Sequence, residues 1–159
     1  MKLSYSLFIP LLTLFSTGPV SAVTTVYVEG TVIEPAACTI PGASVIYVDL
    51  GQKILSSNID GTNYLTDFSI PLSCTGSSSG VDMQLSGDPT TYDTKFMKTN
   101  KTDLGVRFLR NSALQPINSW FAVEFNQSVQ MQVAPVKRPG SVIPGGSFNA
   151  IATVSLRLP

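Results

Sequence analysis

The segment Ser147-Phe148-Asn149-Ala150-Ile151-Ala152-Thr153-Val154-Ser155-Leu156-Arg157-Leu158 decides how the rest of the chain is read. Phe148, Ala150, Ala152, Val154, Leu156 and Leu158 fall on one phase of a two-residue repeat. Ser147, Asn149, Ile151, Thr153, Ser155 and Arg157 fall on the other. Successive side chains of a β-strand point to opposite faces, so the repeat predicts a long half-buried strand. On pattern alone an ordinary core strand reads the same way.

Upstream the chain reads as β throughout. Short runs rich in Val, Ile, Thr and Phe are separated by clusters of Gly, Pro, Asn and Ser, as in a sandwich or barrel. Val45–Leu50 is strand-like and stops at Gly51. Phe68-Ser69-Ile70-Pro71-Leu72-Ser73-Cys74 alternates cleanly, with Pro71 on the outward phase, which predicts an edge position or a bulge. Val81, Met83 and Leu85 alternate with polar residues; Leu104–Leu109 and Val129–Val133 complete the set. Gly76–Gly80 reads as a turn and Asp88–Asp103 as a polar loop. Pro135–Gly146, with three prolines and three glycines, reads as a connection between sheets. No amphipathic helix, internal repeat or interdomain linker is visible.

The N-terminus has a different character. Lys2, the short apolar run Leu7–Phe15 and the small-residue site Val20-Ser21-Ala22 form a secretory signal, expected to be cleaved after Ala22. The mature chain then begins with another alternation: Val26, Val28, Gly30 and Val32 share one face, and Thr25, Tyr27, Glu29 and Thr31 the other. Pro35 separates it from the Cys38 segment. It reads either as a first core strand or as an extension that pairs elsewhere. Gly30 marks a place of close approach to another backbone.

Composition narrows the function. Only 13% of residues are charged, against about 25% in typical soluble proteins, and the formal net charge is zero. No basic surface for nucleic acid is implied. The chain has no histidine, so the nucleophile–histidine arrangements of hydrolases are excluded. Scattered carboxylates such as Asp82 and Asp88 read as solvated. No cofactor or metal site is expected, and the chain is not read as an enzyme. Cys38 and Cys74, the only two cysteines, are expected to pair in an oxidising compartment. Closing that loop would stabilise the fold by about 4 kcal/mol on the chain-entropy model. Trp120, Phe121 and Tyr92 could line a sugar site, although a single Trp in a sandwich is more often core.

Taken in order, the pieces Val28–Ile40, Val48-Asp49-Leu50-Gly51, Phe68–Cys74 and Gly146–Leu156 resemble the subunits of chaperone–usher pili. The small tip-fibre or minor subunits are the most similar, through the Pro-containing segment Pro35–Ile40 that carries Cys38-Thr39-Ile40. The resemblance implies an incomplete immunoglobulin-like β-sandwich lacking its final strand, with an N-terminal donor-strand extension. The implied organisation is a signal peptide over 1–22, the donor extension over 23–33 and the pilin domain over 34–159. Val26, Val28, Gly30 and Val32 would be the donor residues. Phe148, Ala150, Ala152, Val154, Leu156 and Leu158 would line the acceptor groove and meet the chaperone. The implied partners are a periplasmic chaperone, an outer-membrane usher and neighbouring subunits. The implied location, reached through the periplasm, is a fimbrium on the cell surface that contributes to adhesion. Two departures stand out: the chain ends Leu158-Pro159 where relatives commonly carry a penultimate aromatic residue, and the Gly30–Cys38 spacing is one residue longer than usual. Tip, adaptor, rod and terminator positions all remain open. The alternative is a stand-alone secreted β-sandwich with a carbohydrate-binding or adhesive role.

Overall fold

The alternations above become strands wherever a neighbour is available to complete a hydrogen-bonded ladder. The computed structural model describes residues 23–42, 45–76, 78 and 80–158. The expected signal peptide and Pro159 lie outside the described residues. Residues 23–31 form one unit and the chain from Val32 onward a second.

Among the described residues of the second unit ten strands follow one another: β1 (Ala37–Thr39), β2 (Thr66–Ile70), β3 (Ser73–Thr75), β4 (Val81–Ser86), β5 (Met97–Lys98), β6 (Leu104–Arg110), β7 (Ala113–Gln115), β8 (Trp120–Val123), β9 (Val129–Lys137) and β10 (Thr153–Arg157). The only helical element among the described residues is a 3-10 turn at Ser56–Asn58. All ladders are antiparallel. One sheet runs β10-β4-β8, a second runs β2-β9-β6-β5 with β7 also on β6, and β1 pairs with β3. Val81, Met83 and Leu85 of β4, with Phe121 and Val123 of β8, meet Ile70, Val106, Phe108, Val129, Met131 and Val133 of the other sheet in one apolar cluster. Phe68 and Phe108 meet edge to face, ring centroids 6.1 Å apart. The all-β sandwich expectation is met.

Several boundaries differ from the sequence reading, each for a reason of pairing. Val45–Leu50 forms no strand. Its burial still alternates, with Val48 and Leu50 half-buried and Tyr47 and Asp49 exposed, but no described segment pairs with it. It does end at Gly51, at φ +93°, whose N–H donates to Asp49 Oδ1 at 2.8 Å. The Phe68–Cys74 run is cut at Pro71: β2 pairs with β9, β3 pairs with β1, and β2 lies at a sheet edge, where a missing N–H is tolerated.

Pro135, read as the start of a connection, is instead fully buried inside β9, opposite Val106. The β2 ladder stops at Thr66↔Val133, so beyond that rung β9 has a neighbour on one side only. The polar stretch 88–103 contains β5, and β7 and β8 have no counterpart in the sequence reading. The C-terminal strand is shorter than its alternation, because β4 ends at Ser86, the partner of Thr153.

Candidate functional site

β10 is the last strand of the chain and lies at a sheet edge, paired with β4 from Thr153↔Ser86 to Arg157↔Asp82. Phe148, Ala150, Ala152, Val154 and Leu156 rest half-buried on the main apolar cluster. Leu158 lies past the last rung and is 38% exposed. The opposite phase, from Ser147 through Ile151 to Arg157, faces solvent to a greater or lesser degree. The face predicted from the repeat is therefore the inward one from Phe148 to Leu156 but not at Leu158, and only five residues of the chain there are laddered.

A second half-buried line rests on the same cluster: Cys38, Ile40, Val48 and Leu50. The sequence reading marks Cys38 as a crosslink and assigns no such role to the other three. Their signal is the alternation of Ile46, Val48 and Leu50 after Cys38 and Ile40. This line is anchored covalently. Cys38 and Cys74 are joined by the expected disulfide and are register partners in the β1–β3 ladder. Asn126 Oδ1 accepts the Cys74 N–H at 3.1 Å from a residue at φ +60°, which fixes the loop beside β3.

At its start, the C-terminal line loses β4. Asn118, at φ +58°, turns its side-chain amide on Gly87: Oδ1 accepts the Gly87 N–H at 3.1 Å and Nδ2 donates to the Gly87 carbonyl at 3.0 Å. Asn100 serves Asn149 in a similar way. Its N–H donates to the Asn149 carbonyl at 3.1 Å and its Oδ1 accepts the Asn149 N–H at 3.0 Å. At the other end Arg157 donates through Nε and Nη2 to Asp82 Oδ2, at 3.0 and 2.8 Å, and its guanidinium carbon lies 4.4 Å from the Trp120 ring centroid. Asp82, expected to be merely solvated, is thus engaged by a guanidinium.

In the first unit no strand forms, and Val26 and Val28 are exposed, as is Val32 at the start of the second. A Cβ added at Gly30 would meet nothing within 4 Å.

A family model described as "Fimbrial protein" matches residues 26–158. The chain belongs to the fimbrial protein family. Among its relatives is the fimbrial-like protein YfcR of Escherichia coli strain K12, 35% identical over 127 residues that cover 76% of this chain and 72% of YfcR. Its fold is that of solved pilus subunits. The P pilus rod subunit PapA superposes with a TM-score of 0.65 at 17% identity, over 77% of this chain and 99% of PapA. The P pilus adaptor subunit PapF gives 0.57 at 17% identity, over 80% of this chain and 98% of PapF. The immunoglobulin-like sandwich of the pilins is therefore the architecture of this fimbrial subunit, with β10 at the edge of one of its sheets.

The aromatic residues do not gather into one platform. Phe121 is in the core, whereas Trp120, its neighbour on β8, points the other way and is 37% exposed beneath Arg157, so it is not the core residue expected of a lone Trp. Tyr92 Oη donates to the Val136 carbonyl at 3.0 Å beside Gly105, and burial pushes its phenol pKa up.

Proposed function

We propose that this fimbrial subunit is a minor subunit of a chaperone–usher fimbria and polymerises by donor-strand exchange. The observation that carries the reading is the half-buried, one-sided wall Phe148–Leu156, whose free edge offers unpaired backbone groups along an apolar line. A strand added there completes a ladder and buries side chains together, the physics of β-strand addition. Residues 23–33 have the matching form. Val26, Val28 and Val32 present three apolar side chains in period two, and burying them would contribute about 5–9 kcal/mol gross. In this account the chain is exported after loss of residues 1–22, and a periplasmic chaperone covers the wall. At an outer-membrane usher the donor residues Val26, Val28, Gly30 and Val32 of the next subunit replace it. The wall is then Phe148, Ala150, Ala152, Val154, Leu156 and, at its exposed end, Leu158. The product is a surface fimbrium that supports adhesion.

Deleting residues 23–33 should leave chaperone capture intact and abolish incorporation of the chain as a donor; unchanged incorporation into fibres would refute the reading. The register is tested by Gly30→Leu. If Gly30 faces a shallow part of the groove, the added side chain blocks assembly, whereas normal assembly moves the inserted face by one residue. The minor position is supported by the Pro35–Ile40 segment. The rod position is the alternative within the same fold, which the rod subunit PapA and the adaptor subunit PapF share. Antibody labelling of intact fibres separates them: sparse or terminal label supports the minor position, and continuous label along the shaft the rod.

A further inference from the structure

The wall of the groove is longer than the ladder that supports it, and polar side chains hold it at both ends. We propose that Asn100 and Arg157 are positioning residues for strand addition, pinning the empty edge wall in phase until a strand arrives. The inference rests on the strand-addition reading above.

At the leading end the β4 ladder stops at Ser86, and beyond it lies a cleft of about 370 Å³ bordered by Gly87, Lys98, Asn100, Asn149 and Thr153. No strand supports Asn149 there. Asn100 supplies the two hydrogen bonds that a directly opposed residue of an antiparallel strand would exchange, one from its backbone and one from its side chain. That substitute rung holds Phe148, Ala150 and Ala152 inward. At the trailing end, Arg157 is directly opposite Asp82 and reaches Trp120 on β8, so it ties the edge strand to both other strands of its sheet. The planar guanidinium makes both hydrogen bonds to Asp82 and the ring contact at once, and a lysine ammonium, a point charge on a flexible stem, would keep only part of that set.

Phase matters here because a strand slipped by one residue presents its polar face to the incoming donor. In the empty subunit β10 is held from the β4 side alone. Once a donor strand is in place it is held from both sides, and the pins become redundant. Their effect therefore belongs to the rate of addition and not to the stability of the filled product.

The test uses the exported chain, purified as the complex it forms in the periplasm, and a synthetic peptide of residues 23–33; the edge is empty there while the covering strand leaves β10 and the peptide enters, the interval in which the pins act. Peptide uptake is followed by native mass spectrometry and by emission of Trp120, the single tryptophan of the chain. Arg157→Ala should slow uptake about tenfold, from the combined loss of an exposed ion pair and a cation–π contact. Asn100→Ala should slow it about fivefold through one lost hydrogen bond. Arg157→Lys should recover part of the rate. Asn100→Asp, which keeps the acceptor oxygen, should recover most of it. The peptide-filled products should melt together with the wild-type product. Wild-type rates in both alanine variants would overturn the inference. So would filled products destabilised in step with the rates, which would mark the two residues as general supports of the fold. A wild-type complex that takes up no peptide would fail at the earlier step and overturn the strand-addition reading itself.

Discussion

Strands β9 and β10 alternate alike, yet β9 is flanked by β2 and β6 whereas β10 has only β4 beside it. The consequence is visible side chain by side chain. Val129, Met131 and Val133 are buried, and Val154 and Leu156, on the same phase of a similar repeat, are only half-buried. Alternation sets which face of a strand is apolar, and topology sets whether that face is covered within one chain. The line Cys38, Ile40, Val48 and Leu50 makes a third case. It is as incompletely covered as the β10 line but is stapled by a disulfide rather than by side-chain hydrogen bonds.

Cutting that staple has the largest expected effect. Replacing Cys38 and Cys74 together by Ser should cost about 4 kcal/mol on the chain-entropy model, because the crosslink restricts a long loop in the unfolded chain. Denaturant unfolding of the oxidised wild type and the double variant measures it; near-equal midpoints would mean that the β1–β3 pairing holds Cys38 without the crosslink.

Next comes the direct contrast between the two strands. Met131→Ala removes a fully buried side chain between paired strands and should cost about 3 kcal/mol whether or not a donor is bound. Leu156→Ala removes a half-buried one. It should cost clearly less in the empty subunit and approach the Met131 value once residues 23–33 of a second copy fill the groove. A Leu156 effect that is the same in both states would break the comparison, since it would mean that the wall gains no burial from its partner.

Much of this was legible in the sequence because it depends on local period. The faces of β4 and of the C-terminal line follow from counting by two, and the cysteine pair from a secreted chain with two cysteines. The features that were not legible depend on where a partner strand starts or stops. Val45–Leu50 alternates yet has no neighbour, Pro135 sits in a strand because the β2 ladder has already ended, and β10 is cut short because β4 ends at Ser86. β7 and β8 are three and four residues long, too short for a period to emerge. Asn111, Ser112 and Asn118, all at positive φ, mark the turns beside them. Asn100 carries no sequence signal for its role, since pairing with Asn149 is a matter of tertiary placement.

A smaller effect tests how tightly the paired sheet is packed compared with the open one. Gly105 on β6 lies beneath the 90–97 loop, where an added Cβ would come within 2.5 Å of Thr90 Cγ2 and 2.8 Å of the Met97 carbonyl oxygen. The backbone oxygen cannot move aside as a side chain could, so Gly105→Ala should cost about 1–3 kcal/mol. Gly30→Ala, where nothing lies within 4 Å, should leave the melting of the isolated subunit unchanged. Equal melting shifts for the two would show that the loop over Gly105 yields freely.

The smallest expected effect is electrostatic and lies in the loop before β2. Asp60 Oδ1 accepts the N–H groups of Thr62 and Asn63 at 2.8 and 2.7 Å, and Oδ2 accepts from Asn63 Nδ2 at 3.0 Å. Hydrogen bonds from the backbone of Asn63 and Thr62 favour the ionised carboxylate and hold its pKa below the ordinary value of 3.8. A folded-state pKa lowered in this way adds stability that is present above the unfolded value and disappears as pH falls through the folded one. Asp60→Asn retains an acceptor and removes the charge, so its melting temperature should match wild type at the acid end and fall slightly behind it above about pH 4. A constant gap between the two across the acid range would show that the turn responds to the shape of the side chain and not to its ionisation. The loop would then contribute nothing to the acid sensitivity of the fold.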